Sequence, residues 1–279
     1  MTDNNLYTLF ESRFPADLTE TAFEGPEVST FTFCDLQEKS AQMANLLTSL
    51  GAVTGDRVAV QTGKSVEAVI LYLACLRAGL VYLPLNTAYK AAEIEYFLGD
   101  ATPAVVICDP ASLKEISAIA DTCSVREVLT LDENGTGSLT DRAAEQATKF
   151  ETVARAADDL AAILYTSGTT GRSKGAMLTH DNLASNARTL HKHWGFTEGD
   201  VLLHALPIFH VHGLFVALHC ALLNASKLIF LKKFDPAVII ANLPSSTVFM
   251  GVPTFYVRLL AEDGFTKEIC QNMRLFTAG

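Results

Sequence analysis

Short apolar runs alternate with helical segments along most of this 279-residue chain. Runs such as "DRVAVQ" (56–61), "PAVVICD" (103–109) and "AAILYT" (161–166) have the length of buried strands, and segments with apolar residues at helical spacing lie between them. Strands that are apolar on both faces need helices on both sides of their sheet, and strand–helix–strand connections make neighbouring strands parallel. The alternation therefore predicts an α/β fold of mainly parallel sheets flanked by helices.

Composition and charge limit the partners of the chain. Hydrophobic residues make up 49% and charged residues 19%, which is enough apolar material for a large core. A net charge of −10 argues against binding to nucleic acid or to an anionic membrane surface. Two stretches are apolar enough to be tested as membrane spans. Charged residues interrupt the first, 66–85, and the second, 213–223, is too short to cross a bilayer, so no membrane span is predicted.

The cysteines and the N-terminus indicate a reducing compartment. The six cysteines are far apart in sequence and include no C-x-x-C pair, which favours buried, reduced thiols over a disulfide framework or a zinc site. The first residues, "MTDNNLYTLF", have no cationic start followed by an apolar block, so no secretory signal is predicted. We therefore expect a cytoplasmic location.

A polar segment divides the chain into two expected lobes. Residues 132–158 are rich in Thr, Glu, Gly and Ala, and they predict a surface connection between lobes at approximately 1–155 and 156–279. The chain ends at Gly279, directly after the apolar run "RLFT". Domains rarely finish on a buried strand, so we expect these residues to be an incomplete N-terminal domain of a longer protein.

The stretch "YTSGTTGRSKG" (165–175) is the strongest functional signal in the sequence. Glycines let backbone N–H groups approach an anion, hydroxyl groups donate to phosphate oxygens, and Lys174 adds a positive charge, with Arg172 as a weaker second cation. This composition predicts that the segment binds the phosphates of a nucleoside triphosphate. The expected phosphate-binding residues are Thr166, Ser167, Gly168, Thr169, Thr170, Gly171, Ser173 and Lys174.

The spacing of this stretch differs from that of the P-loop of kinases and ATPases. A P-loop lies between a strand and a helix and has Ser or Thr after its lysine, whereas here Gly175 and a second apolar run, "AMLT" (176–179), follow Lys174. The pattern predicts a strand–strand connection. A hairpin tip that binds nothing is the alternative, and the two cations between tight apolar runs argue against it.

The longer segment "YTSGTTGRSKGAMLTH" (165–180) resembles the phosphate-loop motif of the adenylate-forming enzymes, which include acyl-CoA synthetases, adenylation domains and luciferases. The segments "LRAGLVYLPLN" (76–86), "PIFHVHG" (207–213) and "GVPTFY" (251–256) resemble other motifs of that family, in the family's order. The resemblance covers the whole chain. Within the family, residues 206–223 and 251–260 are most similar to the enzymes that act on malonate.

The resemblance implies a ligase with two half-reactions. A carboxylic acid and ATP form an acyl-adenylate and pyrophosphate, and the thiol of CoA then displaces AMP. Lys174 and His210 are the catalytic residues that the resemblance implies in this chain. The family's Mg²⁺ ligands, ribose-binding Asp and small C-terminal domain with its catalytic Lys have no counterpart here, so we expect them beyond residue 279. We expect these 279 residues alone to bind ATP weakly without turnover.

The histidines of residues 191–219 admit two interpretations. His210 and His212 form an H-x-H pair, as do His191 and His193, but neither pair has a third ligand at metal spacing, so no metal site is predicted. The family resemblance implies that His210 forms a wall of the acyl pocket and binds substrate. We expect His212 and His219 to be packed core histidines.

A malonate-like substrate requires a partner for its second carboxylate in an otherwise apolar pocket. Arg258 lies four residues after Thr254 in a predicted helix, so both side chains lie on one face. We hypothesise that Thr254 and Arg258 bind the substrate, with Arg258 paired to the distal carboxylate; the alternative is a solvent-exposed arginine.

Three functions therefore remain open from the sequence. The first is an acid–thiol ligase for malonate or methylmalonate. The second is a CoA ligase for another short or medium-chain acid. The third is a nucleotide-binding half-domain without catalytic activity.

Overall fold

The computed structural model describes residues 3–166 and 173–279. Five predicted phosphate-binding residues, and the weaker candidate Arg172, lie outside the described residues. They are Ser167, Gly168, Thr169, Thr170 and Gly171.

The described residues form twelve strands and ten α-helices. The strands are β1 (Thr21–Gly25), β2 (Val28–Thr32), β3 (Arg57–Gln61), β4 (Val81–Pro84), β5 (Val105–Cys108), β6 (Glu127–Thr130), β7 (Leu160–Thr166), β8 (Lys174–Thr179), β9 (Val201–His204), β10 (Lys227–Phe230), β11 (Val248–Gly251) and β12 (Leu275–Ala278). The helices are α1 (Leu6–Glu11), α2 (Phe33–Ser49), α3 (Val66–Arg77), α4 (Ala91–Ala101), α5 (Leu113–Thr122), α6 (Ser138–Ala144), α7 (His180–His193), α8 (His219–Leu223), α9 (Pro236–Asn242) and α10 (Pro253–Leu260). A π-helical segment, His212–Leu218, precedes α8.

The chain divides into two compact units. The first contains the described residues up to Glu11 together with Asp35–Ala184, and the second contains Ser12–Cys34 and Ser185–Gly279. These boundaries differ from the division near residue 155 that the sequence suggested. The reason is strand pairing: β7 pairs in parallel with β4, and β1 pairs in parallel with β10.

The first unit contains a six-stranded sheet in the order β6-β5-β3-β4-β7-β8. Neighbouring strands are parallel except for the antiparallel pair β7–β8 at one edge. Helices α4 and α5 pack together, and their apolar residues form a core with this sheet. The buried members of that core are Ala59, Leu83, Leu85, Ile94, Phe97, Leu98, Ala101, Val106, Cys108 and Ile116.

The second unit contains a six-stranded sheet in the order β12-β11-β9-β10-β1-β2. Its strands are parallel except for the antiparallel pair β1–β2. Helices α9 and α10 contribute Ile239 and Leu259 to its core. Both sheets confirm the prediction of an α/β fold with mainly parallel strands.

The apolar stretch 66–85 is a buried helix followed by a strand, as predicted. Ser65 caps α3, since its Oγ accepts a hydrogen bond from the backbone N–H of Ala68 at 3.1 Å. Arg77 at the other end is only 6% exposed, and its guanidinium donates to the Ser40 hydroxyl and to the Phe150 carbonyl, each at 2.9 Å. Within the described parts of the chain, no helix has both the length and the apolarity needed to cross a bilayer.

Candidate functional site

The phosphate-loop motif lies on an antiparallel hairpin in the first unit. Strands β7 and β8 pair with Tyr165 opposite Gly175 and Thr166 opposite Lys174. Thr166 and Lys174 are both exposed and face each other at the loop end of the hairpin, where β7 ends and β8 begins. The prediction of a strand–strand connection, rather than a P-loop followed by a helix, is confirmed.

Helix α4 contacts both strands of this hairpin near its loop end. The Tyr165 hydroxyl donates to Asp100 Oδ2 at 2.5 Å, and the Tyr96 hydroxyl donates to the Ser173 carbonyl at 2.8 Å. The ring of Phe97 lies against that of Tyr165, with 4.3 Å between ring centres. Burial, followed by the hydrogen bond to Asp100, raises the pKa of Tyr165, so this phenol stays protonated and acts as a donor.

Gly175 fits the narrow space opposite Tyr165. A Cβ at this position would lie 3.0 Å from Ile163 Cγ2 and 3.5 Å from the Tyr165 ring. A side chain here would therefore press on Ile163, while its distance to the Tyr165 ring would be that of an ordinary contact. The glycine after Lys174 has a packing reason as well as the predicted one of approach to an anion.

In the second unit, a tight turn carries His210. Strand β9 ends at His204, and the π-helical segment begins two residues after His210. Gly213 lies so close to the turn that an added Cβ would be 2.1 Å from the Pro207 carbonyl oxygen. His204 Nε2 lies 2.9 Å from the Gly213 carbonyl oxygen, which fixes the other side of the segment.

His210 is the most accessible of the three histidines that frame this segment. It is exposed, with its ring centre 4.6 Å from that of Phe209, and partial burial lowers its pKa. His212 is half-buried beside Gly279; burial lowers its pKa, and a hydrogen bond to Gly279 opposes that effect. His219 is fully buried, which lowers its pKa to about 3. His210 is therefore neutral at pH 7 and can donate a hydrogen bond without carrying charge.

In the second H-x-H pair, His191 is engaged in packing and His193 is exposed. His191 Nε2 lies 2.9 Å from Asn224 Oδ1, and its ring stacks on Phe196 with 5.6 Å between ring centres. Across residues 3–166 and 173–279, the structure brings together no group of three or more His, Cys, Asp or Glu side chains that could hold a metal ion. The expectation that the Mg²⁺ ligands lie beyond residue 279 stays a prediction.

Thr254 and Arg258 both lie on α10, which begins at Pro253 as predicted. Both are exposed, and their spacing of four residues places them on one face. The Arg258 guanidinium carbon lies 4.7 Å from the centre of the Phe234 ring, which itself stacks on Phe255 at 3.9 Å. The aromatic pair holds the cation at the surface of the second unit, which limits its conformational freedom.

The predicted site residues fall in different units. Thr166, Ser173 and Lys174 belong to the first unit, and His210, Thr254 and Arg258 belong to the second. A cleft of about 540 Å³ also lies in the first unit, at the carboxyl ends of β3 and β5. None of the described candidate residues lines it. Of its charged residues, Lys90, Glu115 and Glu133 are exposed and Asp109 is half-buried. Its buried polar side chain, Gln61, donates to the carbonyl oxygens of Asn86 and Tyr89.

Comparison with known proteins decides the family. The family model for AMP-binding enzymes matches residues 11–279. The chain belongs to the family of AMP-binding enzymes. This AMP-binding chain is 34% identical over 250 residues to the mitochondrial malonate–CoA ligase ACSF3 of Mus musculus, covering 86% of the chain and 42% of that protein.

Solved structures extend the likeness. The crystal structure of apo MatB from Rhodopseudomonas palustris is 51% identical, has a TM-score of 0.96, and is matched over 99% of this AMP-binding chain and 55% of its own. The ATP-bound structure of MatB is 52% identical with a TM-score of 0.95, over 99% of this chain and 54% of that one. The chain therefore spans about half the length of these relatives.

Sequence reasoning did not identify Tyr96 and Asp100 as part of this site. A signal was present: in "AAEIEYFLGDA" these two polar side chains are four residues apart and thus on one face of a helix. Their partners, however, lie 77 and 65 residues away in sequence. No local pattern could have connected them with the hairpin.

Proposed function

We propose that this AMP-binding chain is the N-terminal part of an AMP-forming acyl-CoA synthetase that activates malonate with ATP and transfers the acyl group to CoA. The observation that carries the proposal is the 34% identity to the malonate–CoA ligase ACSF3 of Mus musculus over 86% of the chain. Support also comes from the 51% identity to MatB over 99% of the chain and from the exposed pair Thr166 and Lys174 at the loop end of the hairpin.

The hairpin supplies positive charge where the first half-reaction needs it. Charge builds on the β- and γ-phosphates as pyrophosphate leaves the α-phosphorus. We assign the neutralising contacts to Lys174, to the hydroxyls of Thr166, Ser167, Thr169, Thr170 and Ser173, and to the backbone N–H groups of Gly168 and Gly171. Bound Mg²⁺ would supply further positive charge to the phosphates. No Mg²⁺ ligand is assigned among the described residues, and these contacts do not depend on one.

We assign the binding of the carboxylic acid substrate to His210 and to helix α10. A neutral His210 can donate a hydrogen bond to the reacting carboxylate and orient this group. A protonated His210 would add a positive charge that could hold the carboxylate away from the α-phosphorus. The distal carboxylate of malonate stays ionised and needs a cation in its place of binding. Arg258 is assigned that role because Phe234 orders its guanidinium, and Thr254 on the same helix face adds a hydroxyl donor.

The test of this assignment is malonate-dependent release of AMP in the presence of CoA, measured on the longest product of the reading frame. Arg258→Leu should lower kcat/KM for malonate about 10- to 100-fold, the range for a charge-assisted hydrogen bond. The same substitution should change kcat/KM for acetate and propionate less than about threefold, because these acids lack the second carboxylate. Arg258→Lys keeps the charge without the planar fork and should fall between native and Arg258→Leu.

Two results would contradict different parts of the proposal. An equal loss on all three acids would remove Arg258 from the distal carboxylate but leave malonate as the substrate. A native protein that releases AMP faster with another short or medium-chain acid than with malonate or methylmalonate would contradict the substrate. The same assay on the 279 residues tests the separate expectation that they bind ATP without turnover.

We also propose a cytoplasmic location. All six cysteines are free thiols in the structure, which suits a reducing compartment. The Mus musculus relative is named as mitochondrial, so cell fractionation with markers for both compartments is the deciding measurement. Recovery in the mitochondrial fraction would contradict the proposal.

A further inference from the structure

Helix α4 contacts the phosphate-loop hairpin (β7 and β8) on both sides of the loop that joins its strands. Tyr96 donates to the carbonyl of Ser173, directly before β8, and Asp100 accepts from the hydroxyl of Tyr165, directly before the last residue of β7. The residues between these two contacts include most of those that we assign to the phosphates of ATP.

The two contacts come from one face of one helix. Tyr96 and Asp100 are four residues apart, which is slightly more than one helical turn, so their side chains lie one above the other. Between them Phe97 packs on Tyr165, and the ring of Tyr96 also lies 6.2 Å from that of Tyr165. Phe97 and neighbouring Leu98 are anchored in the core of the first unit. The contact surface for the hairpin is therefore built on a rigid element.

We propose that Tyr96 and Asp100 are positioning residues that hold the loop end of both hairpin strands on α4 and thereby set the geometry of the hairpin for ATP. This rests on the proposed function, because it takes the hairpin as the ATP-binding element. Neither residue touches ATP in this proposal. Each acts through the backbone or side chain of a hairpin residue, so less of the entropy of fixing the two strand ends has to be lost when ATP binds.

The chain provides a matched set of variants. Tyr96→Phe removes one anchor, and Asp100→Ala removes the other. Asp100→Asn keeps an acceptor oxygen for the Tyr165 hydroxyl and should lose less than Asp100→Ala. Tyr89→Phe is the control: its ring lies 4.9 Å from Phe97 in the same aromatic cluster, but among the described residues its hydroxyl is not bonded to β7 or β8.

Two measurements on the chain test the proposal. Isothermal titration with ATP should show a dissociation constant about three- to tenfold higher for Tyr96→Phe and Asp100→Ala than for native, as expected for loss of one hydrogen bond. Amide hydrogen exchange should be faster in peptides covering 160–166 and 173–179 for the same two variants. Tyr89→Phe should match native in both measurements, and thermal unfolding of each variant reports whether its fold is intact.

The outcomes separate this inference from the proposed function. Faster exchange at the hairpin with weaker ATP binding supports the positioning role. Faster exchange with unchanged ATP affinity overturns it, because the anchors would then stabilise the strands without serving the site. If the native protein does not bind ATP at all, the proposed function fails. If amide hydrogen exchange of the hairpin is unchanged in both Tyr96→Phe and Asp100→Ala, the inference that these residues hold the hairpin is wrong, whatever the ATP affinity.

Discussion

Replacing Gly213 with alanine tests the close packing that shapes the turn at His210. A Cβ at residue 213 would lie 2.1 Å from the Pro207 carbonyl oxygen and 2.9 Å from its carbonyl carbon. Carbon–oxygen contacts without strain are about 3.3 Å or longer. The added methyl group therefore needs a displacement of about 1 Å, and both atoms that it meets belong to the backbone, so no side-chain rotation relieves the overlap.

The expected cost of Gly213→Ala is about 3 kcal/mol, at the upper end of the usual range for overpacking. Movement of residue 213 also disturbs the contact between His204 Nε2 and the Gly213 carbonyl oxygen, which is buried. A loss of this size is a large share of the typical 5–15 kcal/mol that separates folded from unfolded states. Because residues 207–213 carry His210, the same displacement should raise KM for malonate in the longest product of the reading frame.

Gly264→Ala in the same unit is the matched control. A Cβ there would meet nothing closer than Ile240 Cγ2 at 3.6 Å, which is an ordinary contact. Alanine also restricts the unfolded chain, so this variant should gain about 0.5 kcal/mol. Urea unfolding of native and both variants gives the free energies. If Gly213→Ala stays within about 0.5 kcal/mol of native and KM does not change, the packing argument is wrong.

Two further predictions concern charge and pH. Arg274→Met should lower the free energy of unfolding in urea by about 3 kcal/mol, because it leaves the Asp200 carboxylate, which is only 3% exposed, without its cation. Arg142→Met is the control. It breaks the pair with Glu127, in which both side chains are more than a third exposed, and should cost less than about 1 kcal/mol. Equal shifts would mean that burial does not decide the difference. Burial, with nearby Arg155, lowers the pKa of His180 from 6.5 to about 4. Between these pH values the unfolded chain binds a proton at His180 and the folded chain does not. The free energy of unfolding should therefore fall by about 3 kcal/mol as pH drops from about 6.5 to 4. His180→Asn should remove this component, and an unchanged pH dependence would refute the assignment.

The elements that sequence reasoning predicted are those with a strong local pattern. The strands "DRVAVQ", "PAVVICD" and "AAILYT" are confirmed as β3, β5 and β7, since each is a continuous apolar run between polar turns. Helix α3 has an equally local signal, because Ser65 caps its start. In each case residues within a few positions of one another carry the information.

The elements that were missed depend on distant partners. Helix α6 lies in the polar segment 132–158 and buries only Leu139 and Ala143, too few for a helical period. Strand β1, "TAFEG", is short and ends in glycine, and its place in the second sheet depends on pairing with β10, about 200 residues later. The two units also differ from the lobes expected from the sequence for this reason, since a sheet can join segments that sequence separates widely.

The candidate site follows the same division between local chemistry and distant support. The hydroxyls, glycines and cations of residues 166–174 are contiguous, so the sequence alone predicts what they would bind. Two hydrogen bonds that tie the hairpin to the rest of the first unit come from Tyr96 and Asp100, on a helix about 70 residues earlier. If these contacts position the hairpin as proposed, a substitution on α4 would weaken ATP binding while the loop motif itself stays intact. The loop motif and the contacting face of α4 therefore need to be tested together.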